Sequence, residues 1–384
     1  MIYLDNSATT PVSDAVISRM EDVMRHTWGN PSSAHGLGLR ASDLMNISRR
    51  EILKSLDVRT PAPADHPRLI FTGSGSEANN LALFGTAYTR REARFTPKMV
   101  ISADQHPSVL ETAKRLEKSG VSVVYLPTRG GEISPSDVAA AVDQSTILIS
   151  VMLVNNETGA VYDVRKLFGV ARAKNPNIVT HCDAVQGFRH VPGFVPDAFG
   201  CDMTVISAHK IGGPKGIGAL YLSKEAHKSR KLSPYILGGG QESGMRSGTE
   251  NLPAIAGFAE AAKAEADFGK MESLRRRFIS GLPEEITVKR TACPSPHIVN
   301  ITLPGIKSET MVHFLSAREI YVSSGSACSS RDRKLSNALL CWGASERDAD
   351  CSIRISLSDK VTESGIDEAL AALKEGLSTL ARTE

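Results

Sequence analysis

The sequence has six cysteines but no C-x-x-C pair, the spacing typical of zinc ribbons and thioredoxin-like redox sites. The six are Cys182, Cys201, Cys293, Cys328, Cys341 and Cys351. A disulfide framework is not expected in a large chain of the cytoplasm. We therefore predict that most of these thiols are small buried hydrophobic side chains.

The sequence also lacks a strong excess of either charge and any long hydrophobic run. The formal charge is +3, from 45 basic and 42 acidic residues, which argues against a nucleic-acid-binding or membrane-surface protein. The longest apolar run, 147–154, is interrupted by Ser150 and is too short to cross a bilayer. The N-terminal "MIYLDNSATT" has neither the basic segment nor the apolar stretch of a signal peptide. We therefore expect a cytoplasmic protein.

What is present is a regular alternation of short apolar runs and helix-period segments. The runs predict buried strands at 68–72, 98–102, 121–126, 146–151, 177–182, 202–208 and 218–223. This alternation is typical of an α/β domain with a mostly parallel sheet flanked by helices.

After the glycine cluster at 238–240 the alternation ends. A long helical pattern near 250–282 leads into a smaller α+β region with strands and helices of its own. We predict a large cofactor-binding domain over 14–255, and a small domain made of 1–13 and 256–384.

A glycine-rich turn in "FTGSGSEANN" (71–80) joins a predicted strand to a predicted helix. Such a turn brings backbone N–H groups close to an anion, and the helix dipole favours phosphate there. Gly73, Gly75 and Ala78 also fit the dinucleotide pattern G-x-G-x-x-A, and a plain strand-to-helix turn explains the residues equally well.

Two further candidates follow predicted strands. Asp183 follows "NIVTHC" and could hold a cationic ring nitrogen or a metal, or cap a helix. Lys210 follows "TVISAH" and could form a Schiff base, bind phosphate, or lie in a surface turn. Parallel strands end at one edge of a sheet, where ligands bind. Together with the glycine turn, these residues fit pyridoxal phosphate, which needs a phosphate site, an acid for the ring nitrogen and a lysine.

With these motifs in place, the chain resembles the cysteine desulfurases of the iron–sulfur-assembly type, in the class V aminotransferase-like group. The likeness spans nearly the whole chain, through "YLDNSATTP" (3–11), "GNPSSAHGLG" (29–38), "NNETG" (155–159), "HCDAVQ" (181–186), "SAHKIGGPKGIGALY" (207–221), "GGGQESGMRSGTEN" (238–251), "SSGSACSS" (323–330) and "SIRISLS" (352–358). It implies the type I fold of pyridoxal-phosphate enzymes and a homodimer.

The resemblance assigns the ring of the cofactor to four residues. Lys210 would bind it covalently, Asp183 would pair with the pyridine nitrogen, and Gln186 with the ring oxygen. His106, in "DQHPSVL", would stack on the ring and move protons.

The resemblance also assigns the phosphate and the substrate. Gly75, Ser76, Ser207 and His209 would hold the phosphate, joined by Thr249 of the other subunit. Asn156 would contact both cofactor and substrate, Arg354 would grip the substrate carboxylate, and Cys328 would accept the sulfur.

The surroundings of Cys328 fit that last role. The stretch "YVSSGSACSS" (321–330) places the thiol among serines, glycine and alanine, and a metal ligand, an ordinary loop or a nucleophile could each sit there. A nucleophile that must reach the substrate and then deliver sulfur needs such mobility. The stretch that follows, "SSRDRKLSNALLCWG", is more charged than is usual in the family, and Ser76 and Gly75 replace its commoner Thr and Ala.

The resemblance implies that L-cysteine becomes L-alanine while Cys328 takes up a persulfide. The sulfur would then pass to an acceptor protein in iron–sulfur cluster or thiolation pathways. A selenocysteine lyase or another pyridoxal-phosphate enzyme on the same scaffold is the nearest alternative. A dinucleotide oxidoreductase or a non-catalytic scaffold would leave Lys210 without a role. No metal site is predicted.

Overall fold

The elements follow the predicted alternation closely. The computed structural model of the protein describes residues 1–58, 63–89, 95–325 and 335–382. The strands are β1 (Ile2–Tyr3), β2 (Leu69–Thr72), β3 (Lys98–Ser102), β4 (Ser122–Leu126), β5 (Thr146–Met152), β6 (Val179–Asp183), β7 (Met203–Ser207), β8 (Gly218–Leu222), β9 (Thr287–Val288), β10 (Ile298–Thr302), β11 (Ile320–Tyr321) and β12 (Ser352–Ser356).

The α-helices alternate with these strands and cover the sheets. They are α1 (Asp14–His26), α2 (Gly36–Ser55), α3 (Gly75–Thr89), α4 (Pro107–Glu117), α5 (Pro135–Ala141), α6 (Val164–Lys174), α7 (Lys224–Lys228), α8 (Leu252–Lys263), α9 (Phe268–Ser280), α10 (Ser308–Ser316), α11 (Asn337–Trp342), α12 (Glu346–Asp350) and α13 (Glu363–Thr379). Short 3₁₀ turns lie at Pro63–Arg68, Arg129–Gly131, Ala208–Lys210 and Glu242–Gly244.

The main sheet has seven strands in the order β2-β8-β7-β6-β5-β3-β4. Strand β8 is antiparallel to both of its neighbours, and the other neighbouring pairs are parallel. The central strands β5, β6, β7 and β8 are buried along their whole length, as expected for a sheet covered on both faces. The predicted α/β class with a mostly parallel, helix-flanked sheet is confirmed.

A second core lies around two small sheets, one with the order β12-β10-β9 and one pairing β1 with β11. Its buried side chains join Leu4, near the N-terminus, with residues from Leu274 to Leu377. This grouping supports the proposed division of the chain, whose limits at 13/14 and 255/256 stay predictions. In the described part of the chain, no helix is both long and apolar enough to span a bilayer.

The helical pattern near 250–282 forms two helices, α8 and α9, instead of one. Ala264 is extended, and Asp267 caps α9 by accepting a hydrogen bond from the Lys270 backbone N–H at 2.9 Å. Arg189 donates to the carbonyl oxygen of Ala264, which the end of α8 leaves free of a helical partner. These two contacts satisfy backbone groups that the interruption leaves free.

A buried ion pair joins α2 to the segment that follows β8. The Arg49 guanidinium donates two hydrogen bonds to Glu242, at 2.7 and 2.8 Å, and the two side chains are 6% and 2% exposed. Glu242 also accepts from the backbone N–H of Phe71 in β2, at 2.8 Å. The pair therefore fixes segment 238–251 against the edge of the main sheet.

Removing one partner of this buried ion pair should destabilise the protein far more than removing one partner of an exposed ion pair. We expect Glu242→Ala to lower the free energy of unfolding by about 3–5 kcal/mol, because it leaves the Arg49 charge buried and uncompensated. The control is Glu21→Ala, whose exposed partner Arg25 lies 2.7 Å away, and its expected loss is below about 1 kcal/mol. Urea denaturation measures both, and equal losses would contradict the assignment.

Candidate active site

A cavity of about 200 Å³ lies at the carboxyl edge of the main sheet. It gathers the ends of several strands, because parallel strands finish at the same edge. Its walls are Ser7, Ala8, Ser74, Gly75, Ser76, Asn79, His106, Ser108, Met152, Val154, Asn156, Asp183, Val185, Gln186, Ser207, His209, Lys210 and Arg354. Ten of the twelve predicted site residues thus meet in the walls of one cavity: Gly75, Ser76, His106, Asn156, Asp183, Gln186, Ser207, His209, Lys210 and Arg354.

Lys210 ends the short 3₁₀ turn that follows β7. Its amine donates hydrogen bonds to the backbone carbonyl oxygens of Ser7 and Ala8, the second at 2.8 Å. Gln186 donates to the same Ser7 oxygen, at 2.8 Å. The N-terminal segment therefore holds the lysine amine at the cavity that Asp183 also lines.

Asp183 is the last residue of β6 and is only 5% exposed. One carboxylate oxygen accepts from the Asn79 side chain at 2.7 Å, and the other from the Val185 backbone N–H at 3.0 Å. Each carboxylate oxygen can accept more than one hydrogen bond, so the group can still receive a ring N–H.

His106 caps the N-terminus of α4 and is connected to Asp183 through other side chains. Its Nδ1 accepts from the Ser108 backbone N–H at 3.1 Å and lies 2.7 Å from the Ser108 hydroxyl. That hydroxyl accepts from Asn79, at 2.9 Å. Burial lowers the pKa of His106, an effect that the Asp183 charge opposes and the Lys210 charge reinforces. Because Nδ1 accepts a backbone N–H, the neutral ring carries its proton on Nε2.

The glycine turn and the start of α3 form one end of the cavity. Helix α3 begins at Gly75, so its free N–H groups and dipole favour an anion there. The hydroxyl of Ser207 is buried at this end and has no hydrogen-bond partner among the described residues. Gly218 permits the close packing, because a Cβ on it would lie 2.8 Å from the Gly75 backbone nitrogen.

His209 lines the same cavity, and its Nδ1 lies 3.2 Å from the Thr9 hydroxyl. Burial, followed by the charges of Lys210 and Lys215, lowers the pKa of His209 to about 4. The ring is therefore neutral near pH 7 and can donate or accept a hydrogen bond without adding charge.

Arg354 reaches the cavity from β12, in the second core. Its side chain is 1% exposed, and it donates to the Asn156 carbonyl oxygen at 2.9 Å and to Asp5 at 2.7 Å. Its buried Nε–H has no partner among the described residues. The guanidinium therefore retains hydrogen-bonding capacity for a ligand. A carboxylate suits it, because the two carboxylate oxygens match the planar fork of the guanidinium.

Two predicted site residues are not in these walls. Thr249 is exposed and does not line the cavity of its own chain. Cys328 lies outside the described residues. The roles predicted for all of the site residues, including these two, stay predictions.

Sequence reasoning missed two side chains and one backbone carbonyl that build the site. Asn79 and Ser108 connect Asp183 to His106, and Ser7 anchors both Lys210 and Gln186. All three lie in or beside segments that were recognised, but hydrogen-bonding roles of this kind depend on neighbours distant in sequence. No group of three or more His, Cys, Asp or Glu side chains suited to a metal occurs within the described ranges.

The sequence profile of the family described as Aminotransferase class-V matches residues 2–369. The chain belongs to this family. The match covers nearly all of the sequence, including every segment that lines the cavity.

Individual relatives agree with this assignment. The chain is 37% identical to a protein named NifS/IcsS protein homolog from Lactobacillus delbrueckii subsp. bulgaricus, over 98% of this chain and 97% of the relative. It is 34% identical to a protein named cysteine desulfurase IscS from Methanosarcina thermophila, over 97% and 91% of the two chains. The resemblance to cysteine desulfurases of the iron–sulfur-assembly type is thereby confirmed.

Solved structures give the same result. A structure described as a NifS-like protein superposes with a TM-score of 0.89 at 34% identity, covering 99% of this chain and all of the other. A structure described as SspA in complex with cysteine superposes with a TM-score of 0.82 at 31% identity, covering 94% of this chain.

The buried histidines beside the site should make stability depend on pH. Burial lowers the pKa of His181 to about 4, against about 6.5 for an unfolded chain. Between these values the unfolded chain binds more protons, so the free energy of unfolding falls as the pH falls from about 6.5 to 4. We expect His181→Asn to reduce this slope, as measured by urea denaturation across that range. A variant with the slope of the natural protein would contradict the assignment.

Proposed function

We propose that this protein is a pyridoxal-phosphate-dependent cysteine desulfurase that removes sulfur from L-cysteine and leaves L-alanine. The observation that carries the proposal is the meeting of Lys210, Asp183, the α3 N-terminus and Arg354 around one cavity. Family membership and the named relatives support the same activity. An enzyme of this kind needs all four elements at once, whereas dinucleotide binding would use only the glycine turn.

The residues present fit the cofactor. The unpartnered Ser207 hydroxyl and the N–H groups at Gly75 and Ser76 would hold the phosphate, with His209 beside them. Asp183 would receive the pyridine N–H and keep that nitrogen protonated. Gln186 lies in the same wall and is suited to the ring oxygen, and Thr249 of a second subunit would complete the phosphate site.

Bound there, pyridoxal phosphate supplies an electron sink for the bonds at the substrate's Cα. The amine of Lys210 is suited both to attach the cofactor and to take the Cα proton, because it points into the cavity. The Nε2 proton of His106 can be given to the reacting groups, since the Ser108 N–H occupies Nδ1. The ring of His106 is suited by its place in the wall to stack on the cofactor.

Arg354 and Asn156 would orient the substrate. The guanidinium can bind the cysteine carboxylate through two parallel hydrogen bonds, while its contacts with Asp5 and the Asn156 carbonyl keep it from turning away. Binding the carboxylate in this way leaves the substrate sulfur free to face the thiol that attacks it.

Cys328 would receive the sulfur. Its thiolate attacks the substrate sulfur, an S–S bond forms, and the Cβ–S bond of the substrate breaks, with the electron pair passing to the substrate carbon. Protonation of that carbon gives L-alanine. One L-cysteine and one Cys328 thiol thus give one L-alanine and one Cys328 persulfide, so no external oxidant or reductant is required.

The persulfide would then pass to an acceptor protein for iron–sulfur cluster assembly or thiolation. A homodimer and a location in the cytoplasm belong to the same proposal. The test is incubation of the cofactor-loaded protein with L-cysteine, with alanine and protein-bound persulfide measured together. Equal amounts of both products in the first turnover are expected, and turnover without a persulfide would reject the proposal.

Substituting the proposed sulfur acceptor should separate cofactor binding from sulfur transfer. We expect Cys328→Ser to bind pyridoxal phosphate as the natural protein does but to form no persulfide and no alanine from L-cysteine, because a hydroxyl is a far weaker nucleophile than a thiolate. Cys341→Ser is the matched control and should retain activity. Mass spectrometry and amino-acid analysis measure the products, and an active Cys328→Ser would refute the role of this thiol.

Replacing the guanidinium should impair substrate binding. Arg354→Lys keeps the charge but loses the fork, so we expect KM for L-cysteine to rise roughly 10- to 100-fold, the equivalent of one charged hydrogen bond. Asp5→Asn keeps an acceptor oxygen for Arg354 and should change KM less. Steady-state kinetics measures both, and an unchanged KM in Arg354→Lys would contradict the assignment.

A further inference from the structure

Glu157 is a buried carboxyl group that the mechanism above does not use. It is 6% exposed and follows Asn156, the residue whose carbonyl oxygen holds Arg354. Its own carbonyl oxygen accepts from the Asn300 side chain at 3.2 Å, and Asn300 pairs with Arg354 across β10 and β12. The backbone of Glu157 is therefore connected to the strand pair that carries Arg354.

The carboxylate of Glu157 binds one end of the chain segment that carries Cys328 and lies beside the other end. The Ser336 hydroxyl donates a hydrogen bond to Glu157 Oε2. On the other side, a Cβ built on Gly325 would lie 3.4 Å from the same oxygen and 4.0 Å from the Ser336 Cβ. Residues 325 and 336 therefore lie side by side at one carboxylate oxygen, and Cys328 belongs to the segment between them.

A second attachment lies just upstream of this segment. Ser323 and Arg354 exchange two backbone hydrogen bonds, of 2.7 and 3.2 Å. The chain that leads to Cys328 is therefore joined directly to the residue proposed to hold the substrate. Glu157 joins the returning chain, at Ser336, to the strand pair that carries that residue.

A charged carboxylate at this buried position carries a desolvation penalty. Burial raises the pKa of Glu157, while the Ser336 hydrogen bond and the Arg354 charge oppose that rise. An apolar side chain would fill the space without the desolvation cost, but it could not accept the Ser336 hydroxyl.

We propose that Glu157 is a positioning residue, which anchors the Cys328 segment through its bond to Ser336, beside Gly325, and so sets the rate of sulfur transfer. The inference rests on the proposed function, because it presumes that Cys328 attacks the substrate sulfur. Small displacements of a reacting group can lower a rate about 100-fold. Loss of the Glu157 contact is therefore expected to slow sulfur transfer.

The test compares Glu157→Ala and Glu157→Gln with the natural protein. Glu157→Ala removes the acceptor, so we expect persulfide formation in a single turnover to slow roughly 10- to 100-fold. The KM for L-cysteine and the affinity for pyridoxal phosphate should stay within about two-fold of the natural protein's, since Arg354 and the cofactor residues keep their contacts. Glu157→Gln keeps an acceptor oxygen of the same reach and should restore most of the rate.

Ser336 offers a matched pair of variants. Ser336 caps α11 and donates to Glu157, whereas Ser345 caps the next helix, α12, by accepting from Asp348 at 3.1 Å. Ser336→Ala should therefore slow persulfide formation, while Ser345→Ala, which loses only a helix cap, should not. Hydrogen–deuterium exchange without substrate should become faster at 323–325 and 335–337 in Glu157→Ala.

The outcomes separate this inference from the proposed function. Slower persulfide formation with an unchanged KM, recovered by Glu157→Gln, supports the inference. Unchanged rates in Glu157→Ala and Ser336→Ala overturn it alone, as does a parallel loss of cofactor affinity, which marks a general structural role. If Glu157→Ala does not fold, the comparison of Ser336→Ala with Ser345→Ala decides. A natural protein that forms no persulfide overturns both proposals.

Discussion

The carboxyl edge of the main sheet is the constraint on which the site depends. Strands β5, β6 and β7 run in parallel, so the residues that follow them come to one edge of the sheet. The strand direction alone brings these residues together. Asp183 ends β6, Ser207 ends β7, and Lys210 follows one short turn later. Strand β8 returns antiparallel and brings the glycine turn after β2 to the same edge, through the close contact at Gly218.

The second requirement is a connection between the two cores. Arg354 belongs to β12 but contacts Asn156, which follows β5, and Asp5 near the N-terminus. A substrate bound by Arg354, as proposed, would thereby be placed relative to a cofactor held by the main sheet. Glu157 and Ser336 add a similar connection for the Cys328 segment. Substrate and sulfur acceptor would then both be held by residues around β12, so the geometry of attack would depend on few contacts.

The sequence predicted the strands well, because each buried strand is a short apolar run between turns. The predicted 146–151 and 218–223 became Thr146–Met152 and Gly218–Leu222. The interruption at Ala264 was missed, although the Asp267 cap is local in sequence; the Arg189 contact with Ala264 comes from a residue distant in sequence. The same limit applies to the site. Lys210 and Asp183 were found from their places after strands, but the Asn79 and Ser7 contacts and the Ser336–Glu157 hydrogen bond depend on tertiary structure alone.

The central claim is that Lys210, Asp183 and the glycine turn surround one pyridoxal phosphate. The most direct measurement is borohydride reduction of the protein loaded with pyridoxal phosphate, followed by digestion and mass spectrometry of the labelled peptide. The account predicts a single reduced adduct on Lys210, and none after Lys210→Ala. A protein that binds the cofactor with the adduct on another lysine, or without any adduct, would contradict it.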